Sequence, residues 1–441
     1  MSAEQSAGGS TRSAGKDRHV GAYGGLLLFT VVLYLRPNEL LPIGTFPIVK
    51  IIAMGTLVAF FMERLTAGRS LSVLPRPFKY VLGLTLFMVL SIPFGLDPGA
   101  SLAGFSDVFL KVLLVFVLII NVVTSFRRLR LMMETLVLSG AFVAVATLLD
   151  YAAGRNLAEG FRASGAVGGI FGNPNDLALA MNVLIPLSVG LSFIRPDPIR
   201  KLLYIICSGL FIATVIVTYS RAGFLTLTVG GVFLTVQLGR RYPAAWGIGG
   251  LAGAALVMAS PGTFWNRILT IFEGAGTAGG SAAESATQRW DLIKRSIEVA
   301  GANPIRWLFG VGIDNFHIVS NRELVNHDAY LQVFNEVGLP AMICYIVFMV
   351  GVVRIAAYIT RRYVRARGYR QVWLTAVAVE ASLIAYMVGS AFASVAFLWY
   401  VYYPAGFAIC LQHIVARAQA QQRPRQEEVT PRVWYLRRLQ H

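Results

Sequence analysis

The sequence predicts an all-α polytopic membrane protein, with about twelve membrane-spanning helices and one long, partly helical loop on its outer side. Three observations predict it. Of 441 residues, 56% are hydrophobic and only 14% charged, with mean hydropathy +0.62, far from the average of soluble domains. The apolar residues gather in runs of roughly 15–22, the length a helix needs to cross a bilayer core. These runs are continuous rather than alternating, which argues against an isolated β-barrel.

Taken in order, residues 1–19 are polar and rich in Ser, Ala and Gly, and read as a disordered tail. The apolar run from Gly21 to Leu35 lacks a convincing cleavage site, so it is a retained first span. The predicted spans are 20–35, 46–62, 78–94, 107–123, 131–149, 174–194, 202–219, 222–238, 244–259, 338–359, 372–392 and 396–416. They define one membrane domain over 20–416 that includes the outward loop 260–337, followed by a basic tail at 417–441. No internal repeat and no soluble module is visible. The formal charge of +17 invites a nucleic-acid reading, but its distribution argues otherwise. With the N-terminus in the cytoplasm, Arg127-Arg128-Arg130, Arg240-Arg241 and the arginines between Arg361 and Arg370 all fall inside. The positive-inside rule accounts for the excess, and no nucleic-acid partner is implied. Cys207, Cys344 and Cys410 lie within apolar runs, where packing is their expected role and neither a disulfide framework nor a zinc site is suggested.

Two outward segments are long, 150–173 and 260–337. A long external interval usually carries function. Its Gly- and Ala-rich stretch 274–283 reads as mobile. From Gln288 to Ala300, Asp291, Lys294, Arg295 and Glu298 define a solvated helical face, with Trp290, Ile293 and Ile297 as an apolar stripe beside it. Arg289 projects almost opposite the charges, and an inward arginine needs a partner. A second helix is expected from Asn326 as N-cap. It places Asp328, Gln332, Asn335 and Glu336 on one face and His327, Tyr330, Leu331 and Phe334 on the other. At the same outer level, Thr218-Tyr219-Ser220-Arg221-Ala222-Gly223 makes a tight turn between spans. Phe171-Gly172-Asn173-Pro174-Asn175-Asp176 opens another span, with Pro174 suited to the first helical turn. Arg162 adds a cation just before it, and helix N-termini favour anions.

With these motifs the chain resembles the O-antigen ligase and polymerase superfamily of bacterial envelope glycosyltransferases. The resemblance rests on RASGAVGGIFGNPNDLA at 162–178, TYSRAG at 218–223, and the Arg289 helix with Asn303-Pro304 and Phe309-Gly310-Val311-Gly312 after it. It ends with His327-Asp328-Ala329-Tyr330-Leu331 and Glu336-Val337-Gly338-Leu339-Pro340. The first hundred residues share only Tyr34-Leu35-Arg36-Pro37, and the segment between Arg289 and His327 is short. The resemblance implies an enzyme of the bacterial inner membrane with cytoplasmic termini. Its active site would face the periplasm, with an undecaprenyl-pyrophosphate-linked glycan as donor and neither cofactor nor metal. It maps the catalytic roles onto Arg221, Arg289 and His327.

In that chemistry the pyrophosphate leaves with growing negative charge, and fixed cations stabilise this more in the transition state than in the ground state. Arg221 and Arg289 are the candidates, because a guanidinium grips phosphate oxygens bidentately and stays charged. His327 is the candidate base for the acceptor hydroxyl, with Asp328 or Glu336 as orienting carboxylates. Arg162, Asn173, Asn175, Asp328, Tyr330 and Glu336 are the expected substrate-binding residues. Plainer roles stand beside these. Arg221 could be an interfacial arginine reaching the headgroups, and Arg289 could pair with a lipid phosphate or a loop carboxylate. His327 could be a hydrogen-bonded packing residue, as His317 is expected to be, and Asn173 and Asn175 could simply cap a helix. Glu380, deep in a span, is a functional candidate by its position or a structural hydrogen-bonding group.

The leading reading is a ligase passing a whole glycan to a lipid A core or another glycan. A polysaccharide or exopolysaccharide polymerase joining lipid-linked repeat units is the alternative. A protein O-glycosyltransferase comes third. A transporter fits poorly, since transporters place binding residues near the midplane at repeat interfaces, whereas here the polar motifs share one outer surface. Sugars, acceptor, stereochemistry and oligomeric state are not encoded in any motif.

Overall fold

A computed structural model describes residues 20–37, 48–66, 75–260, 262, 265, 281–301, 303–320 and 327–422, without the side chains of 170, 256, 259, 281–290 and 422. Residues 1–19 and 423–441 of the predicted tails, the stretch 274–280 and Asn326 lie outside the described residues, while 417–422 extend the last helix. The long helices in chain order are α1 (Val20–Leu35), α2 (Ile48–Thr66), α3 (Phe78–Ser91) and α4 (Pro98–Ala103). A π-helical stretch Gly104–Phe109 continues α4 into α5 (Leu110–Val122). Then follow α6 (Phe126–Ala152), α7 (Pro174–Ile194), α8 (Pro198–Val217), α9 (Arg221–Gly239) and α10 (Ala244–Ala259). The outer interval holds α11 (Ser281–Gly301), α12 (Pro304–Phe309), α13 (Phe316–Val319) and α14 (Ala329–Val337). The chain closes with α15 (Leu339–Tyr363), α16 (Arg370–Gly389) and α17 (Trp399–Gln422).

The all-α membrane class is borne out. Among the described residues, seven helical segments are long and apolar enough to cross a membrane: 98–122, α6, α7, α8, α9, α15 and 370–392. Three more apolar helices, 20–35, 78–94 and 244–255, are shorter. A single two-stranded hairpin, β1 (Leu157–Ala158) with β2 (Arg162–Ala163), interrupts the loop after α6.

Local sequence sets the helix starts. Asp97-Pro98, Asn173-Pro174, Asp197-Pro198 and Asn303-Pro304 each put an Asx side chain on a free first-turn N–H and a proline where no N–H is needed. Ser220 and Asp328 cap α9 and α14 in the same way.

Helices α7 and α16 form the buried centre. Their backbones approach closely because Gly190 of α7 faces Ala378 of α16, where a Cβ would come within 2.5 Å of the alanine's own. The Ser382 hydroxyl donates to the Val183 carbonyl across the same contact, at 2.7 Å. Exposed Leu, Ile, Val and Met line the outer flanks of α2, α8 and α10, as expected where lipid is the solvent.

Contacts between helix ends sort the molecule into two ends. At one, Tyr23 donates to the Arg128 carbonyl at 2.8 Å and Arg64 to Asn121 at 3.1 Å. There also Arg195 chelates Glu134 through two 2.7 Å bonds, and Arg370 donates to Tyr242 at 2.9 Å and to the Phe193 carbonyl at 3.1 Å. This basic end carries the arginine clusters. At the other, Leu96 N–H donates to the Val311 carbonyl at 2.9 Å, Asn315 to Ser101 at 3.0 Å, and His327 N–H to Ser394 at 2.8 Å. Successive long helices run alternately between the two ends.

Candidate active site

The Ser-Arg turn is built by conformations few residues tolerate. Tyr219 is left-handed, with φ +49°, while Ser220 is extended and caps α9 by accepting from Gly223 N–H at 3.0 Å. Gly223 is required by packing, since a Cβ there would lie 2.6 Å from that of Ala178 on α7. Asn182 of α7 locks the same contact by donating to the Gly223 carbonyl at 2.9 Å. Arg221 therefore opens α9 at a fixed place, half-buried, beside the start of α7.

The start of α7 is tied to that turn through Asn175. Its Oδ1 accepts from the Ser220 hydroxyl at 2.7 Å and from Arg162 Nη2 at 3.0 Å. Arg162, buried, also donates to the Thr218 carbonyl at 3.1 Å and to Glu159 at 2.8 Å. The hairpin turn brings Glu159 within reach, with Glu159 and Gly160 both at positive φ. The structure thus gives Arg162 and Asn175 architectural bonds that join hairpin, turn and α7. Asn173 caps α7 by accepting from Asn175 N–H at 2.8 Å.

The histidine segment departs from the expected helix. Asp328, rather than Asn326, is the N-cap of α14, accepting from Tyr330 and Leu331 N–H at 2.7 and 2.9 Å. His327 precedes the helix in a left-handed conformation, φ +49°, so helical phase does not orient it. Its N–H donates to Ser394 in the loop between α16 and α17. That loop is itself fixed. Gln332 accepts from Ala396 N–H at 3.2 Å, Tyr386 donates to the Val395 carbonyl at 3.1 Å, and Tyr402 donates to the Ala396 carbonyl at 3.2 Å. Tyr330 donates to the Met387 carbonyl at 3.0 Å, and burial lifts its phenol above the usual range.

Further along α14 the polar face is buried at Asn335 and Glu336. Asn335 donates to Ser296 of α11 at 2.8 Å, and Glu336 accepts from Asp314 N–H at 3.1 Å. Val311 and Gly312 N–H donate to the Asn335 and Glu336 carbonyls at 2.8 and 3.0 Å. The Phe309–Gly312 and Glu336–Pro340 motifs are thus two halves of one structure. Glu336 sits at the far end of α14 from His327, about 10 Å along the helix, with the Asp314 amide among its partners. On α11 the buried residues are Leu292, Ser296, Val299 and Ala300, whereas Ile297 is 60% exposed, which corrects the predicted apolar stripe. Position 289 falls in helical phase with 292, 296 and 300, and its side chain lies outside the described ones.

Two observations draw the turn and the histidine segment together. A Cβ on Gly389, at the end of α16, would lie 2.5 Å from Leu179 of α7 and 2.9 Å from Thr226 of α9. Leu179 and Thr226 are only about one helical turn from Asn175 and Arg221. The loop holding His327 begins immediately after Gly389. Ser394, Gln332, Tyr386 and Tyr402 are the supporting residues that sequence reading missed, and no local motif marks them. Glu380 lies elsewhere, with Thr360, Arg361 and Arg240 as its neighbours toward the basic end.

Comparison with known proteins adds an independent finding. Residues 206–346, about a third of the chain, match the family described as O-antigen ligase. The match supports the O-antigen ligase and polymerase superfamily. It spans Arg221, Arg289 and His327 and leaves Arg162, Asn173 and Asn175 outside. Among curated proteins no match is found. The family match supports ligase- or polymerase-type function in general.

Proposed function

We propose that the protein is a metal-independent glycosyltransferase of the bacterial inner membrane, threading it twelve times, with both termini cytoplasmic and the site end in the periplasm. It transfers a glycan from undecaprenyl pyrophosphate to an acceptor hydroxyl, on a lipid A core or another glycan. The observation that carries this reading is the gathering of the Ser220-Arg221 turn and the His327 segment at one end of the bundle, inside the family-matched region. The basic clusters at the opposite end fit a cytoplasmic face.

Arg221 and Arg289 would hold the pyrophosphate and balance the charge it gains as the glycosidic bond breaks. The acceptor oxygen attacks the anomeric carbon, and its proton passes to the His327 imidazole. Asp328 sets where that imidazole starts, by fixing the first turn of α14.

Deletion cells and cells carrying His327→Ala test it through their lipid-linked glycans. Long chains retained on the carrier, with none on the final acceptor, are expected for a ligase. Single repeat units would instead make the enzyme a polymerase. Unchanged glycans in both strains refute the transferase reading.

A further inference from the structure

Among the described residues, most carboxylates at the site end are hydrogen-bonded, ion-paired or exposed to water. Asp97 caps α4, Asp150 accepts from Arg155, and Glu159 pairs with Arg162. Asp328 caps α14, and Glu336 holds the Asp314 amide. Asp314 is exposed to water. Asp176 is the exception. It is half-buried in the first turn of α7, and among the described residues its carboxylate has neither a hydrogen-bond donor nor an ion-pair partner.

That isolation is informative because cations are near. Arg162 contacts the adjacent residue, Asn175, yet spends its guanidinium on Asn175, Thr218 and Glu159. On the other side stands Tyr400, 2% exposed, within electrostatic reach of Asp176, Tyr34 and Tyr386. A carboxylate withdrawn from water without a donor is destabilising unless a ligand supplies one. Capping does not explain it either, since Asn173 already caps α7.

We infer that Asp176 faces the donor's first sugar, the one attached directly to the pyrophosphate, and accepts a hydrogen bond from one of its hydroxyls. This rests on the transferase reading above. A carboxylate repels phosphate, so the pyrophosphate belongs with Arg221, and the ring next to it falls beside Asp176. As the bond from the anomeric carbon to the pyrophosphate oxygen breaks, its electron pair leaves with the pyrophosphate and the ring gains positive charge. The acceptor oxygen forms the new bond and its proton goes to His327. Asp176 exchanges no proton. It stabilises the ring charge and the hydroxyl contact, both of which strengthen in the transition state.

Such a group acts on kcat more than on KM. The test uses the purified full-length chain added to membrane vesicles from deletion cells, which hold the accumulated lipid-linked glycan together with its acceptor. Initial consumption of that glycan is measured as its content is varied. Asp176→Asn is expected to lower kcat about 30-fold, with KM changed less than about threefold and melting unchanged. Asp176→Glu, which keeps the charge but displaces it, is expected to lose about tenfold in kcat, and supplies the same split should the asparagine variant fail to accumulate. Wild-type turnover with Asp176→Asn within about twofold of it overturns the inference alone. A kcat loss matched by lost folded protein also overturns it. Wild-type protein that consumes no glycan overturns the transferase reading and this inference together.

Discussion

Replacing Ser394 by alanine tests one bond that holds the histidine segment in place. His327 sits at φ +49°, a conformation that disfavours a side-chain-bearing residue by roughly 1–2 kcal/mol. A bond of 2.8 Å, from its N–H to the Ser394 hydroxyl, is one of the contacts that oppose that tendency. A bond of this kind contributes about 0.5–1.5 kcal/mol net. The two quantities are comparable, so losing the hydroxyl should let the segment relax and cut the population of the bound conformation about fivefold. Glycan transfer by Ser394→Ala should therefore fall about three- to tenfold in kcat. Donor KM should hold, because nothing at the Ser-Arg turn has moved. Melting should shift by less than about 2 °C, since the bond is local and only partly buried. Ser394→Thr keeps the hydroxyl and should keep most of the rate. The assay is initial-rate consumption of lipid-linked glycan in vesicles from deletion cells. Full activity in Ser394→Ala, or equal losses in the alanine and threonine variants, would refute the reasoning.

Other outcomes follow from the same geometry. Arg162→Ala removes bonds to Thr218, Asn175 and Glu159. It should destabilise the fold by about 2–3 kcal/mol, with the half-exposed Glu159 contributing little, and it should lower transfer by displacing the Ser-Arg turn; thermal unfolding in detergent, with activity beside it, checks both. Gly338→Ala places a Cβ against the Leu308 carbonyl at φ +103°, so a loss of about 3 kcal/mol or more is expected, seen as reduced protein in the membrane. A cysteine at Arg155, in the loop after α6, should react with an impermeant maleimide in intact cells, whereas one at Arg200, at the start of α8, should react only after lysis. Reaction of both in intact cells would invalidate the assigned sidedness.

Much of the helical layout was legible because the solvent is apolar and helices need little more than length. The span 222–238 became Arg221–Gly239, and 174–194 became Pro174–Ile194. The outer interval was harder, since there helical phase was inferred from where charges fell. Buried polar pairs defeat that inference. Ser296 and Asn335 face inward because they satisfy one another, and Glu336 faces inward because a backbone amide meets it. Asp328 is the cap for a related reason: the chain turns left-handed at His327, a conformation histidine adopts more readily than most residues but that an apolar and polar pattern does not reveal. Ser394 could not be foreseen at all, for it lies 67 residues from its partner.

Glu380 decides between two kinds of molecule. A transporter would be expected to place its ionisable group near the middle of the bundle and leave it accessible to either side. Glu380 is buried there, but its neighbours Thr360, Arg361 and Arg240 belong to the basic end. It lies nine residues before Gly389, roughly 13 Å along α16 from the loop that holds His327. An acid held among the arginines of one end contributes to that end's structure and is remote from the other. Asp176, which among the described residues has no donor or ion-pair partner, lies instead at the end where Arg221 and His327 are. The candidate groups Arg221, His327 and Asp176 thus share one end of the bundle, the arrangement expected of a transferase rather than of a carrier.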